Sequence, residues 1–253
     1  MDNKNNQILA NFLLHIADSQ LILSHRLAQW CGHAPELEID IALANIGLDL
    51  LGQARNFLTL AGEIEGLDRD EDKLAYHRDE REFFNLLLCE QPNGDFAQTI
   101  VRQWLFDHYQ LLLMKALTKS GETKIVALAE KSLKEIKYHL RFSRTWLMRF
   151  CQSTPEAFER TQKGLNEVWR FSAELFELTQ DERILVQAGI ISDFDQEKQA
   201  WSDVVENELR QYKLNIPQTA YRRGAKQGLH TEHLGYILAE LQYLQRTYPN
   251  MTW

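Results

Sequence analysis

The sequence predicts an all-α protein, and three observations carry that prediction. Glycine and proline number only 12 and 5 in 253 residues, too few turn-formers for many short strands. Hydrophobic residues make up 44% and charged ones 25%, a balance that allows a sizeable core without disulfide staples. Apolar residues also recur at alternating spacings of four and three over four long stretches, the period of a helix with one buried side.

The first such helix is expected over residues 6–31, stopped by Gly32 and Pro35. The second runs over 36–62, with Pro35 suited to its first turn. The acidic stretch from Glu63 to Asp72 leads to a shorter helix over 78–90, and Gln91-Pro92-Asn93-Gly94 reads as a turn. Asp95 is placed to cap a third long helix reaching Ser120. Gly121 breaks the pattern, and a fourth long helix follows over 122–151. Accessory helices are expected over 155–180, 181–190, 195–213 and 231–247, with an irregular stretch over 214–230 holding Pro217, Gly224 and Gly228. No boundary has linker composition, so residues 1–253 read as a single domain. Its core bundle covers about 6–151 and its accessory helices about 155–247.

Charge and cysteine usage narrow the function. Lys and Arg total 28 against 36 Asp and Glu, a net charge of −8, which disfavours a nucleic-acid binder. The polar start, Met1 to Gln7, leads into an amphipathic stretch, so no secretory signal is expected. No apolar run is long enough to span a bilayer. Cys31, Cys89 and Cys151 are far apart and outside any Cys-x-x-Cys pair, which reads as reduced thiols in a cytoplasmic protein. No Ser-His-Asp order, Walker loop or dinucleotide fingerprint is present.

The buried seams of the long helices hold the most specific signal. The first reads Leu9, Leu13, Ile16, Gln20, Leu23, Leu27, Trp30, and the second Ile39, Leu43, Ile46, Leu50, Gln53, Phe57, Leu60. The third reads Ile100, Trp104, Asp107, Leu111, Met114, and the fourth Ile125, Ala129, Ser132, Ile136, His139, Ser143, Trp146, Phe150. Each seam is interrupted near its middle, by Gln20, Gln53, Asp107 and His139, which implies a polar layer inside a four-helix bundle. Gln20 is followed by Leu50 and Gln53 at nearly the separations at which Asp107 is followed by Ile136 and His139, as a duplicated hairpin would require. This is the frame of the di-iron carboxylate bundle, where two helices give one carboxylate each and two give a Glu-x-x-His pair.

The frame is present and most of the ligands are not. Gln20 holds the first carboxylate position, and Leu50 with Gln53 holds the first Glu-x-x-His position. Asp107 and His139 are kept, but Ile136 replaces the second glutamate. Glu135 points roughly 100° away around the helix and is no simple substitute. One Asp and one His leave too little anionic oxygen for two iron ions. Asp107 and His139 are expected to hydrogen-bond to each other, or to a bridging glutamine, as a structural network. A single weakly held metal at Asp107 and His139 is the competing reading.

The residues also carry a family resemblance. Trp30-Cys31-Gly32-His33-Ala34-Pro35-Glu36-Leu37-Glu38, Asn45-Ile46-Gly47-Leu48-Asp49-Leu50-Leu51-Gly52-Gln53-Ala54-Arg55-Asn56 and Glu90-Gln91-Pro92-Asn93-Gly94 resemble the C subunits of bacterial phenylacetyl-CoA epoxidases. So do Lys134-Glu135-Ile136-Lys137-Tyr138-His139-Leu140-Arg141-Phe142-Ser143 and Gly228-Leu229-His230-Thr231-Glu232-His233-Leu234-Gly235. The resemblance covers nearly the whole chain and implies a ferritin-like four-helix bundle with additional C-terminal helices. It also implies a non-catalytic subunit of a multicomponent monooxygenase, without a cofactor of its own and with no activity expected alone. The partners implied are a homologous catalytic subunit holding the di-iron centre, a reductase and small subunits. That assembly inserts one oxygen atom of O2 into the ring of phenylacetyl-CoA. The family's ligand positions fall on Gln20, Leu50, Gln53, Asp107, Ile136 and His139. A stand-alone ferritin-like metalloenzyme, or a homo-oligomeric scaffold, are the alternatives.

Weaker signals read as structural. His230, Glu232 and His233, and Cys31 with His33, are incomplete metal-ligand sets. Arg222-Arg223-Gly224-Ala225-Lys226 lacks a phosphate-binding motif and reads as a solvated loop rather than a contact to CoA phosphates. Trp169, Phe171, Phe176 and Trp201 read as packing or interface residues rather than substrate-stacking ones.

Overall fold

The computed structural model describes residues 3–249 and Met251; Met1 and Asp2, part of the polar start, lie outside them. The described residues form α-helices and short 3-10 turns with no β-strand. They group into two compact units, one built from residues up to Pro92 and from Gly224 onward, the other from Asn93–Arg223.

The first unit is founded on a helical hairpin, α1 (Asn3–Ala28) against α2 (Leu37–Glu65). Helix α2 begins after Pro35, which lies outside its first turn, and ends at Gly66, whose φ of 68° is the left-handed cap that glycine takes without strain. The acidic connector folds as α3 (Glu71–Tyr76), capped by Asp70, which accepts from the Lys73 N–H. The helix expected over 78–90 shrinks to a 3-10 turn, Glu80–Glu82, and to α4 (Leu87–Glu90). The physical reason is long-range: the Phe84 N–H donates to Asp18 and the Leu86 N–H to Ser19, so side chains of α1 take up backbone donors that a helix would have used internally.

The second unit repeats the hairpin with α5 (Phe96–Leu117) and α6 (Thr123–Gln152). Asp95 caps α5 as expected, accepting from the Gln98 N–H at 2.9 Å. Pro155 opens α7 (Pro155–Val168), which packs on α5 so closely at Gly164 that a Cβ there would lie 2.7 Å from the Gln98 Cα. The helix expected over 155–180 stops at Val168. Trp169, Phe171, Leu175 and Phe176 are all buried, yet a continued helix would spread them around its circumference, so the chain breaks into turns instead. Helices α8 (Arg183–Gln187) and α9 (Asp195–Gln211) complete this unit. The chain then returns to the first unit with α10 (Glu232–Leu241) and α11 (Tyr243–Thr247), where a single helix was expected.

The two hairpins share a division of labour. Along α1 from Ile8 to Ser24 only Asn11 is exposed, and α5 is buried on every side from Thr99 to Gln110, whereas α2 and α6 bury one face. Within its own unit α1 is covered by α2 and α4, and α5 by α6, α7 and α9. No helix among the described residues is long and apolar enough to cross a membrane.

Candidate functional site

The six candidate positions are divided between the units, three on each hairpin. In the first unit Gln20 and Gln53 are buried, and the Gln20 Nε2 donates to the Gln53 Oε1 at 3.0 Å. Leu50, one turn before Gln53 on α2, is fully buried. The pair is a neutral amide clasp between α1 and α2, and the Gln20 Oε1 has no partner among the described residues.

In the second unit Asp107, Ile136 and His139 are all buried. Ser143, one turn beyond His139 on α6, donates its hydroxyl to the Asp107 Oδ2 at 2.6 Å, and the Gln103 Nε2 donates to Oδ1 at 2.7 Å. Both carboxylate oxygens thus receive a neutral donor from within α5 and α6, and the nearby His139 adds an electrostatic pull towards the ionised form. Burial is the larger influence and pushes the Asp107 carboxyl up from 3.8 to about 6, against His139, Ser143 and Gln103.

That shift has a sign. The folded chain holds this proton more tightly than the unfolded one, so stability is fully present below the unfolded value and is lost as pH rises through about 6. Asp107→Asn keeps both bonds, since a carboxamide accepts from Gln103 and donates to Ser143, and it removes the buried charge. The variant is expected to be more stable than wild type by about 3 kcal/mol at pH 7. The gain should shrink towards pH 4; denaturant midpoints at pH 4.5 and 7 check it.

A second buried carboxylate in this unit escaped the sequence reading. Glu208 on α9 accepts from the Trp104 indole at 3.1 Å and pairs with Arg144 at 3.1 Å and His108 at 3.5 Å. Burial alone would raise its pKa, and the bond and charge of His108, with Arg144 and Trp104, bring it down instead. The rule that singled out Asp107 also finds Glu208, because it interrupts the 4-3 row Trp201, Val205, Glu208, Tyr212.

The weaker signals separate clearly. His230 donates both ring nitrogens, Nδ1 to Glu90 at 2.9 Å and Nε2 to the Phe83 carbonyl at 2.8 Å, an arrangement only the doubly protonated ring satisfies. His33 turns its Nδ1 to the Cys31 carbonyl, and both residues are exposed. Arg223 pairs with Glu177, while Lys226 sits over the Phe12 ring, so the basic stretch does not act as one patch. Trp169, Phe171, Phe176 and Trp201 are all buried. Among the described residues no three His, Cys, Asp or Glu side chains are grouped so as to hold a metal ion.

Residues 1–253 match the family described as phenylacetic acid catabolic protein. The chain belongs to that family. It is also 51% identical, over 249 residues, to the C subunit of 1,2-phenylacetyl-CoA epoxidase from Escherichia coli strain K12, covering 98% of this chain and 100% of that protein. Family membership and the helical content together make the chain all-α and ferritin-like in fold class, with further helices following the long ones. The similarity that carried the sequence resemblance thus extends over the whole phenylacetic acid catabolic chain, well beyond the strings that first suggested it.

Proposed function

We propose that this chain is a non-catalytic, structural subunit of a multicomponent phenylacetyl-CoA ring epoxidase, pairing with a homologous catalytic subunit that holds the di-iron centre. The observation that carries this reading is the donor inventory at the six positions. Gln20 and Gln53 offer neutral amides already bonded to each other, and Leu50 and Ile136 offer methyl groups. Asp107 has both oxygens engaged by Ser143 and Gln103. Two iron ions need several free anionic oxygens, so these residues do not fit the pair.

A surface on α2 supports the pairing. Leu37, Ile41, Ala44, Leu48 and Leu51 form a second 4-3 row on the side away from the buried seam. Leu37, Ile41, Leu48 and Leu51 are 72, 52, 64 and 40% exposed. This spacing is the one a helix of a sister bundle would pack into, and leaving such a row in water favours association. A catalytic bundle must open to admit substrate and oxygen; a docked, metal-free bundle can restore the packing that opening costs.

Co-expression with the di-iron subunit tests the reading. The wild-type chain is expected to co-purify with it and to carry no iron when purified alone; about two irons per chain would overturn the proposal. The double variant Ile41→Asp/Leu48→Asp changes only exposed side chains, so it should keep its melting temperature and lose the partner. Retention of the complex by that folded variant would rule out this face.

A further inference from the structure

Helix α6 carries seven exposed Lys and Arg side chains against two Glu, in a chain whose net charge is −8. Arg144 is engaged by Glu208, but Lys131, Lys134, Lys137, Arg141 and Arg149 have no acidic partner among the described residues. Lys131, Lys134, Tyr138 and Arg141 follow one another at spacings of three and four, on the side of α6 away from its buried seam, and Lys137 flanks them. Cations three or four residues apart on one helix repel, as Lys131 does Lys134, Lys134 does Lys137, and Lys137 does Arg141. Elsewhere the chain cancels such charges, pairing Arg69 with Glu65, Arg160 with Glu156 and Arg210 with Glu206 one turn apart. On α6 the repulsion is left in place, a local cost that an arriving anionic group removes.

The duplicated hairpin shows what this face is not. Leu50 and Gln53 on α2 correspond to Ile136 and His139 on α6, and the same count matches Leu48 with Lys134 and Leu51 with Lys137. Where α2 presents methyl groups, α6 presents ammonium groups on flexible stems, with Tyr138 and Met148 as its exposed large apolar side chains. A dry helix-on-helix contact here would bury unpaired cations. The occupant must bring carboxylates.

We propose that the outer face of α6 docks an acidic polypeptide segment of another protein, its carboxylates paired with Lys131, Lys134, Lys137 and Arg141. Arg141 lies over the Tyr138 ring at 5.6 Å, which holds its guanidinium in line with the lysines. From Lys131 to Arg149 the cations extend over about 27 Å of helix axis, far more than a single phosphate needs and enough for a run of carboxylates at one per turn. The stripe is only one or two side chains wide, so a nucleic-acid duplex or a lipid surface would run past it onto the rest of an acidic chain. A contact made of charge without a dry centre forms quickly, is weakened by salt and is readily reversed. It does not rest on the pairing through α2, and it gives a different face to a different partner.

Fluorescence anisotropy of the full chain tests it, with a labelled oligo-glutamate peptide as probe and a short DNA duplex for comparison. The peptide is expected to bind saturably at about 150 mM salt and roughly tenfold more tightly at about 20 mM. Lys134→Glu/Lys137→Glu/Arg141→Glu changes only exposed side chains and should weaken binding by roughly tenfold or more, with the melting temperature unchanged. Lys115→Glu/Lys119→Glu/Lys163→Glu makes the same change in net charge at exposed positions elsewhere in the unit, and should leave binding within about twofold of wild type. Should the charge reversal unfold α6, Lys134→Gln/Lys137→Gln/Arg141→Gln removes the repulsion as well as the charge, and is expected to weaken binding several-fold. No saturable binding at about 150 mM salt, equal losses in the two charge-reversed proteins, or tighter binding of the duplex than of the peptide would overturn the proposal. Loss of the di-iron subunit from the folded α6 variant on co-expression would also overturn it, by assigning this face to the pairing instead.

Discussion

Asp18→Ala is expected to cost about 3–5 kcal/mol and to lower the melting temperature by roughly 10 °C. Asp18 is fully buried in α1 and accepts from both Nη groups of Arg78 and, at 2.9 Å, from the Phe84 N–H. Arg78 in turn donates to the Leu74 carbonyl at 2.5 Å and the Glu82 carbonyl at 2.8 Å, and lies over the Phe83 ring at 4.2 Å. Truncating the carboxylate leaves a desolvated guanidinium and an orphaned backbone donor together, and the segment from Arg78 to Leu86 loses its anchor on α1. The double variant Asp18→Leu/Arg78→Met should lose less than the single one, because an apolar pair leaves no buried charge behind. Urea denaturation of the three variants measures this; a single variant within about 1 kcal/mol of wild type would mean water reaches the pair.

Glu90→Ala comes second, at about 3 kcal/mol or more, and carries a pH signature. The buried Glu90 carboxylate accepts from His230 at 2.9 Å, from the Thr231 N–H and hydroxyl at 2.6 and 2.7 Å, and from Asn85 at 2.9 Å. Burial works to lower the His230 pKa, but the hydrogen bond and charge of Glu90, aided by the Phe83 carbonyl, outweigh it and raise the pKa above 6.5. A raised pKa means that the stabilisation is complete below 6.5 and is lost as pH rises through the folded-state value. Wild type should therefore lose stability on the alkaline side of 6.5, and Glu90→Gln should flatten that decline while keeping an acceptor for Thr231. Denaturant midpoints between pH 6 and 9 decide it: equal slopes in the two proteins would show that His230 is already neutral in the fold.

Much of this was legible in the sequence where the signal is local. The 4-3 rows placed all four long helices to within a few residues, because their periodicity is set by burial along one helix. The interruptions at Gln20, Gln53, Asp107 and His139 pointed to buried polar positions for the same reason, and all four are buried. The segment from Phe83 to Leu86 was misread as helix because its backbone donors are claimed by Asp18 and Ser19, at sequence separations of 66 and 67. Asp18 itself stood off the Leu9–Trp30 seam; it is buried because α1 is covered on nearly all sides, which a single-stripe reading does not anticipate. The donors that Gln103 and Ser143 supply to Asp107 went unnoticed because a seam identifies depth and not partners, although Ser143 stands in the same row as His139.

The order of segments also bears on how the chain is made. The Asn93–Arg223 unit is continuous, whereas the unit that starts the chain is finished only by residues from Gly224 onward. During synthesis the later-starting unit can fold while the earlier one still waits for His230 and Thr231 to reach Glu90. Until then the nascent amino-terminal hairpin keeps Glu90 without those partners, an interval in which a chaperone would find it and in which premature termination near residue 223 would strand it.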